Sequence, residues 1–189
     1  MLHLLARDVL GQVVGSDPSL VRFDRTCARC GLQHGAPRVV GHPGLHVSLS
    51  RTPGLVAVAV STDAPVGIDV ERISDTGFEG FDIVATHPSE RPADLDDRDR
   101  AVSWVRKEAA LKALGVGFVV DPSSLTTPLP GRPGELIAGH SPVSIVDVPL
   151  EDAGAGGDAG GDGGHVAALG LAAAYDDVSV TLHPSPDAP

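Results

Sequence analysis

Residues 67–71 read Gly67-Ile68-Asp69-Val70-Glu71, and this alternation of apolar and acidic side chains is typical of a β-strand. Successive side chains of a strand point to opposite faces, so Asp69 and Glu71 share one face of the predicted strand. Ile68 and Val70 then point the other way, into a core. The segment therefore predicts a buried strand that presents two carboxylates on one side.

A second segment, residues 104–112 with the sequence WVRKEAALK, predicts a helix. Trp104, Glu108 and Lys112 recur every fourth residue and share one helix face, where we expect Trp104 to be a core anchor. Of the 14 basic residues in the chain only two are lysines, and both, Lys107 and Lys112, lie in this segment. An ordinary solvated helix face carrying two chance lysines is the alternative interpretation.

The two segments together offer three carboxylates, from Asp69, Glu71 and Glu108, and the ammonium of Lys112. Carboxylate oxygens are hard ligands that suit Mg²⁺. A lysine ammonium is a compact charge that can meet a single phosphate oxygen. If these groups converge, they favour a magnesium site that acts on a phosphate-bearing substrate.

These two segments resemble the hallmark motifs of the phosphopantetheinyl transferase superfamily, specifically its surfactin-synthetase type. Two further stretches are similar to family features: residues 27–37, CARCGLQHGAP, and residues 46–52, HVSLSRT, with the apolar run that follows at 55–60. The four motifs occur in the family's order, and the resemblance covers residues 3–175.

The resemblance implies an enzyme that transfers the 4′-phosphopantetheine group of coenzyme A to a serine of an acyl or peptidyl carrier protein. The by-product is adenosine 3′,5′-bisphosphate, and the carriers belong to fatty-acid, polyketide or nonribosomal-peptide synthesis. It implies Mg²⁺ ligated by Asp69, Glu71 and Glu108, with Glu108 and Lys112 as the catalytic residues. Coenzyme A is the co-substrate.

The resemblance also implies coenzyme A contacts from five residues: Ser50, Arg51, Arg38, Lys107 and Lys112. Arg51 stands where the family commonly has histidine; it keeps a positive charge but does not titrate near neutral pH. Ala36 replaces a usual basic residue, for which we expect Arg38 to compensate. Because of these departures we expect altered kinetics, and a catalytically weak or silent relative that binds coenzyme A or carrier protein is the alternative.

The expected fold class is α+β, and the resemblance implies two pseudo-symmetric halves, each a helix packed on a small antiparallel sheet, with the active site at their junction. We expect an N-terminal half at residues 1–72 and a C-terminal half at 73–183. The Gly/Asp-rich tract 151–164 predicts a flexible insertion, and residues 184–189 a disordered tail. Members of the family usually have a basic segment before the first helix, so we expect the true start to lie upstream of Met1. A shortened, weaker relative is the alternative.

Local patterns predict the individual elements. A helix over 2–14 has Leu2, Leu5, Val9 and Val13 on its apolar face, and Gly15 ends it. A short helix near Ile83 and the motif helix over 98–114 follow. Strands are predicted at 20–23, 45–50, 54–61, 66–71, 143–148 and 165–173, with an acidic turn at 94–97.

Composition excludes several classes of protein. The formal net charge of −11 argues against non-specific nucleic-acid binding, which needs basic patches. No apolar run approaches the ~20 residues of a membrane span. Two cysteines do not make a secreted disulfide scaffold, so we expect a cytoplasmic protein. The resemblance implies a monomer.

One alternative comes from a different class of protein. Cys27, Cys30 and His34 have a spacing like that of zinc ligands, which would suit a small zinc-binding interaction module. A structural zinc site needs four ligands, and only His42 and His46 are loosely placed candidates for the fourth. His46 lies in a predicted strand, where a core or surface histidine is the favoured interpretation.

Overall fold

A computed structural model of the protein describes residues 2–90, 95–150, 164–175 and 177–181. These ranges contain helices and two antiparallel sheets. In chain order the elements are α1 (Leu2–Val14), β1 (Phe23–Thr26), β2 (Gln33–Val39), β3 (His46–Thr52), β4 (Leu55–Ser61), β5 (Val66–Arg72), α2 (Phe81–Ala85), α3 (Asp97–Leu114), β6 (Ser144–Asp147) and β7 (His165–Leu171). The α+β class with antiparallel sheets is confirmed.

The first sheet has the strand order β1-β2-β3-β4, and α1 packs against one of its faces. Leu10 of α1 is fully buried in a cluster with Val21, Val39 and Val47. The tight turn at Gly54, where φ is 82°, joins β3 to β4 as the Pro53-Gly54 pair predicted. This sheet therefore has its own apolar core under α1.

The orientation of α1 differs from the prediction. Its buried residues are Ala6, Leu10 and Gly11, whereas Val13 is about half exposed. Gly11 allows this rotation because a Cβ there would lie 2.8 Å from the carbonyl oxygen of Ser16, where the chain turns back. Leu10 and the two small residues Ala6 and Gly11 thus form the buried face of α1.

The second sheet has the order β5-β7-β6, and α3 lies across it. Alanines and valines of α3, among them Ala101, Val105 and Ala109, are buried against Ile145 and Ala168 of the sheet. Asp96 caps the N-terminus of α3 by accepting a hydrogen bond from the N–H of Asp99 at 2.8 Å, and Gly115 ends the helix in the left-handed conformation.

The two glycines Gly67 and Gly170, register partners on β5 and β7, let α3 approach the sheet. A Cβ at Gly67 would lie 2.0 Å from the carbonyl oxygen of Ala109, and one at Gly170 would lie 2.9 Å from the same oxygen. Contacts this short exclude any side chain at Gly67. The backbone of α3 therefore rests directly on the strand that carries Asp69.

Two serines of β3 join the first sheet to the second. β5 is an edge strand, and its outward N–H groups at Ile68 and Val70 donate hydrogen bonds to Ser48 Oγ (3.0 Å) and Ser50 Oγ (3.3 Å). Both serines are buried. The serine hydroxyls thus accept hydrogen bonds from two backbone N–H groups that would otherwise have no partner at this edge of the sheet.

Most predicted elements are confirmed, with boundaries within a few residues. The strand predicted at 20–23 is wrong: Pro18–Leu20 form a 3₁₀ turn that Asp17 caps, and β1 begins only at Phe23. β2 was not predicted and takes up residues assigned to the cysteine segment. The predicted boundary at residue 72 separates β5 from β6 and β7, the strands of its own sheet.

Other expectations concern parts of the chain outside the described residues: almost all of the 151–164 tract, the 184–189 tail and Asp94 of the acidic turn. Within the described residues, no helix combines the length and apolar character that crossing a bilayer requires.

Gly67→Ala tests the close approach of α3. We expect it to lower the free energy of unfolding by about 3 kcal/mol, the upper end of the usual cost of overpacking, because a backbone oxygen blocks the new methyl group. Gly170→Ala should lower the free energy of unfolding by a smaller amount, because its shortest Cβ contact would be 2.9 Å instead of 2.0 Å. Gly44→Ala is the control: no atom lies within 4 Å of its Cβ, so the change should stay within about 1 kcal/mol of zero. Urea unfolding measures all three, and equal stabilities for the three variants would contradict the packing argument.

Candidate active site

The packing of α3 on β5 brings Lys112 onto Asp69. The ammonium Nζ of Lys112 lies 2.6 Å from Asp69 Oδ1, and the Asp69 side chain is 9% exposed. Lys112 Nζ also donates to the carbonyl oxygen of Ile68 at 3.0 Å and to Ser50 Oγ at 3.3 Å. All three N–H groups of this ammonium therefore have an oxygen acceptor.

Ser50 connects the first sheet to this pair. Its hydroxyl donates to Asp69 Oδ1 at 2.8 Å and accepts hydrogen bonds from the Val70 N–H and from Lys112. The hydroxyl thus holds Asp69 in one rotamer. Ser50, Asp69 and Lys112 come from β3, β5 and α3 and form one polar cluster, which is buried except at Lys112.

Glu108 faces the same cluster, one helical turn before Lys112. Its side chain is 7% exposed, and its Oε1 has no hydrogen-bond partner among the described residues. Burial, with the negative charges of Asp69 and Glu71, raises the pKa of Glu108 to about 7, although the nearby Lys112 ammonium opposes the shift. A buried carboxylate oxygen without a donor is ready to accept a proton or a cation.

Glu71 is the third carboxylate of the acidic cluster, which consists of Asp69, Glu71 and Glu108. It is half-buried, and burial together with the charge of Asp69 raises its pKa above the ordinary value for glutamate. Asp69 and Glu71 lie on the same face of β5, as the alternation predicted. Glu108 approaches them from α3, close enough for their negative charges to raise its pKa.

The three carboxylates do not, however, meet at one point. In the described part of the chain the only set of three potential metal ligands whose ligand atoms all lie within 4.8 Å of one another is Cys27, Cys30 and His34. Like charges repel, and Asp69 Oδ1 is already held by Lys112 and Ser50. A shared cation would therefore require these side chains to rotate toward one another.

The carboxylate oxygens of these residues nevertheless suit Mg²⁺ as ligands. Within the described part of the chain, the three carboxylates are accompanied by the ammonium of Lys112, which leaves an excess negative charge, and the buried Glu108 Oε1 has no hydrogen-bond partner there. Hard oxygen ligands are those that Mg²⁺ prefers. Asp69, Glu71 and Glu108 are thus the residues that would hold the ion.

The structure does not place Lys107 at this cluster. Its ammonium is completely buried on another side of α3, where it donates to the carbonyl oxygens of Ala85 (2.9 Å) and Pro122 (3.2 Å) and lies 3.3 Å from Glu90 Oε2. Adjacent helix residues point about 100° apart, so Lys107 and Glu108 cannot share a face. These contacts support a structural role for Lys107, and its contact with coenzyme A stays a prediction.

The two candidate arginines also lie apart from the cluster. Arg51 follows Ser50 on β3, leaves from the opposite face of the strand and is exposed. Arg38 on β2 pairs with Asp24 at 3.0 Å and donates to the carbonyl oxygen of Thr26. Neither contacts Asp69, Glu108 or Lys112 here, so a role in cofactor binding remains a prediction for both.

Trp104 has the packing expected of a core anchor. Its ring meets that of Phe81 edge to face, with the centroids 5.9 Å apart, and Phe81 is buried. The contact joins α3 to the short helix α2.

The segment that builds the acidic cluster also carries the similarity to known proteins. Residues 65–147 match the 4′-phosphopantetheinyl transferase superfamily. The match runs from the start of β5 to the end of β6 and contains Asp69, Glu71, Glu108 and Lys112. It supports a transferase of the phosphopantetheinyl type in general. No curated protein matches the chain.

Sequence reasoning missed two residues that shape the site. Ser48 fixes the edge of β5, and Glu90 neutralises the buried Lys107. The Ser48-x-Ser50 alternation in a predicted strand could have revealed the first, since both hydroxyls must share a face. Nothing in the local sequence marks Glu90 as the partner of a lysine 17 residues away.

The pKa of Glu108 predicts a pH-dependent stability. Because its folded-state pKa is about 7 and its ordinary value is 4.5, the folded protein holds this proton more tightly than the unfolded chain. The free energy of unfolding should fall as pH rises from 4.5 to 7, by roughly 3 kcal/mol from this group. Glu108→Gln should therefore be more stable than wild type at pH 8 in a chelator, but not at pH 4.

Adding Mg²⁺ at pH 8 should stabilise wild type and leave Glu108→Gln unchanged, because binding to the folded state raises stability by mass action. Urea titrations at the two pH values, with and without Mg²⁺, measure both effects. Identical curves for wild type and variant at pH 8 would contradict the arrangement.

Lys107→Met separates a structural from a cofactor-binding role. Removing the ammonium takes the Lys107 donor from the Ala85 carbonyl and the counter-charge from Glu90, so we expect a loss of about 2–5 kcal/mol of stability. The Pro122 carbonyl keeps the Leu125 N–H as a donor, and Glu90 keeps its hydrogen bonds from Thr127. The affinity for coenzyme A in the folded fraction should be unchanged. Arg98→Met, an exposed position on the same helix, is the matched control and should have little effect on either. Calorimetric titration with coenzyme A would contradict the structural role if Lys107→Met weakened binding without destabilising the protein.

Proposed function

We propose that this protein is a magnesium-dependent phosphopantetheinyl transferase of the surfactin-synthetase type. It would move the 4′-phosphopantetheine group from coenzyme A to a serine of an acyl or peptidyl carrier protein. The observation that carries the proposal is the buried cluster of Asp69, Glu108 and Lys112 inside the segment that matches the superfamily. A cytoplasmic, monomeric enzyme is part of the same proposal.

The chemistry requires neutralisation of a pyrophosphate. The carrier serine oxygen bonds to a phosphorus of coenzyme A while the bond to the adenosine bisphosphate breaks. Magnesium held by Asp69, Glu71 and Glu108 would supply positive charge to the phosphate oxygens.

Glu108 is the proposed proton acceptor. In the metal-free protein burial and the neighbouring carboxylates raise the pKa of Glu108 to about 7, and a bound magnesium ion would lower this pKa and keep the carboxylate ionised. The ionised carboxylate would then accept the serine proton, directly or through a water. Its buried, unpartnered Oε1 supports this assignment, because no donor has to be displaced first.

Lys112 is the proposed phosphate contact. Its side chain is 30% exposed, so one end of the cluster is accessible from solvent. All three of its N–H groups are used here, so a phosphate oxygen would take the place of one acceptor. Ser50 Oγ, the longest of the three contacts at 3.3 Å, is the easiest to replace. Lys112 can then stabilise the leaving bisphosphate while it remains paired with Asp69.

The test is transfer to a panel of apo carrier proteins from fatty-acid, polyketide and nonribosomal-peptide systems, with coenzyme A and Mg²⁺. Intact-protein mass spectrometry should show a carrier that gains one phosphopantetheine. We expect Asp69→Asn and Glu108→Gln to lower the rate by about 10²–10⁴-fold, the range attributed to positioned acid–base groups. Glu79→Gln, an exposed acid between the two motifs, is the control and should keep the wild-type rate.

The outcomes separate the enzyme from a silent relative. Carrier modification that is lost in Asp69→Asn and Glu108→Gln supports the proposal. Wild-type protein that binds coenzyme A but modifies no carrier overturns it in favour of a binding protein.

A further inference from the structure

The turn between β1 and β2 carries a cluster of soft metal ligands that the proposed transferase chemistry does not use. The sulfur atoms of Cys27 and Cys30 and a ring nitrogen of His34 all lie within 4.8 Å of one another. Cys30 Sγ is 2.9 Å from His34 Nε2, and both cysteines are free. The cluster lies outside the segment that matches the superfamily.

The backbone of the turn holds both cysteines in place. The Cys27 N–H donates to the carbonyl oxygen of Leu32, and the Gly31 N–H donates to that of Cys27, each at 2.8 Å. Gly31 has φ of 74°, a conformation that favours glycine, so the chain can reverse directly after Cys30. The cysteine positions are thus set by main-chain hydrogen bonds.

The adjoining strands place His34 beside this turn. Gly35 lies so close to β1 that a Cβ there would be 3.0 Å from the Thr26 carbonyl oxygen and 3.1 Å from Cys27 Cα. Gln33 Nε2 also donates to Thr26 Oγ1 at 2.8 Å. His34, between these two residues, is therefore fixed where β1 ends and the turn begins.

The chemistry of the three groups favours zinc. The backbone N–H groups of Arg29 and Cys30 donate to the Cys27 sulfur and lower the pKa of its thiol, and the thiolate is the metal-binding form. A tetrahedral zinc with bonds of about 2.3 Å to sulfur and about 2.0 Å to nitrogen has ligand atoms roughly 3.5–3.8 Å apart. The cluster is compact enough to meet that requirement.

We propose that Cys27, Cys30 and His34 bind one zinc ion that clamps the β1–β2 hairpin, with water or an added donor in the fourth position. Binding releases the thiol protons to solvent. Among the described residues His42 and His46, the two loosely placed candidates for a fourth ligand, do not join the cluster. The clamp links the turn to β2, the strand that carries Arg38.

The test uses the full chain without an affinity tag, purified with a phosphine reductant, and elemental analysis of its metal content. We expect about one zinc per chain, lost in Cys30→Ser and in His34→Ala. His42→Ala, an exposed histidine outside the cluster, is the matched control and should retain the zinc. Glu108→Gln should also retain it, which separates this site from the acidic cluster.

Cobalt substitution reports the geometry. Co²⁺ added to metal-free protein should produce the visible bands of a tetrahedral site and a near-ultraviolet sulfur charge-transfer band, absent in Cys30→Ser. Added imidazole should shift the visible bands if the fourth position is open.

Folding is checked independently. Cys30 and His34 are exposed, so circular dichroism of both variants should match that of wild type, while zinc should raise the melting temperature of wild type alone. Three results would overturn the proposal. The first is that reduced wild-type protein takes up neither zinc nor Co²⁺, and the second is that wild type and Cys30→Ser contain equal amounts of zinc. The third is a Cys27–Cys30 disulfide that persists in the presence of the reductant.

Discussion

The backbone contact between α3 and β5 is the constraint on which the rest of the site depends. Gly67 and its register partner Gly170 leave no side chain between helix and sheet, and the carbonyl oxygen of Ala109 occupies the space. At this separation the side chains of Glu108 and Lys112 reach the level of Asp69. With any larger residue at 67 the helix would have to lift off the sheet, and the carboxylates would lose their shared environment.

The same helix uses its two lysines in opposite ways. Lys107 is buried and donates hydrogen bonds to the carbonyl oxygens of Ala85, the last residue of α2, and of Pro122, so its charge serves the fold. Lys112 is partly exposed and pairs with an aspartate whose rotamer Ser50 also holds. A buried ion pair is a poor source of net stability. Retaining a buried acidic cluster beside Lys112 is therefore better explained by chemistry than by folding.

The sequence predicted the elements that obey a simple period. The alternation in residues 67–71 and the four-residue spacing of Trp104, Glu108 and Lys112 each depend only on local geometry, and both are confirmed. The rotation of α1 and the burial of Lys107 depend on which faces meet in three dimensions, which no local pattern encodes. The convergence of Cys27, Cys30 and His34 likewise depended on a strand, β2, that the sequence did not reveal.

The serine pair of β3 has a consequence for the behaviour of the protein in solution. An unpaired strand edge is a template on which other chains add by main-chain pairing, and natural proteins protect such edges. Ser48 and Ser50 occupy the outward N–H groups of β5 from within the same molecule. Other chains therefore cannot add to the strand that bears the acidic residues. One end of the polar cluster can be accessible to solvent while the strand edge stays protected from aggregation.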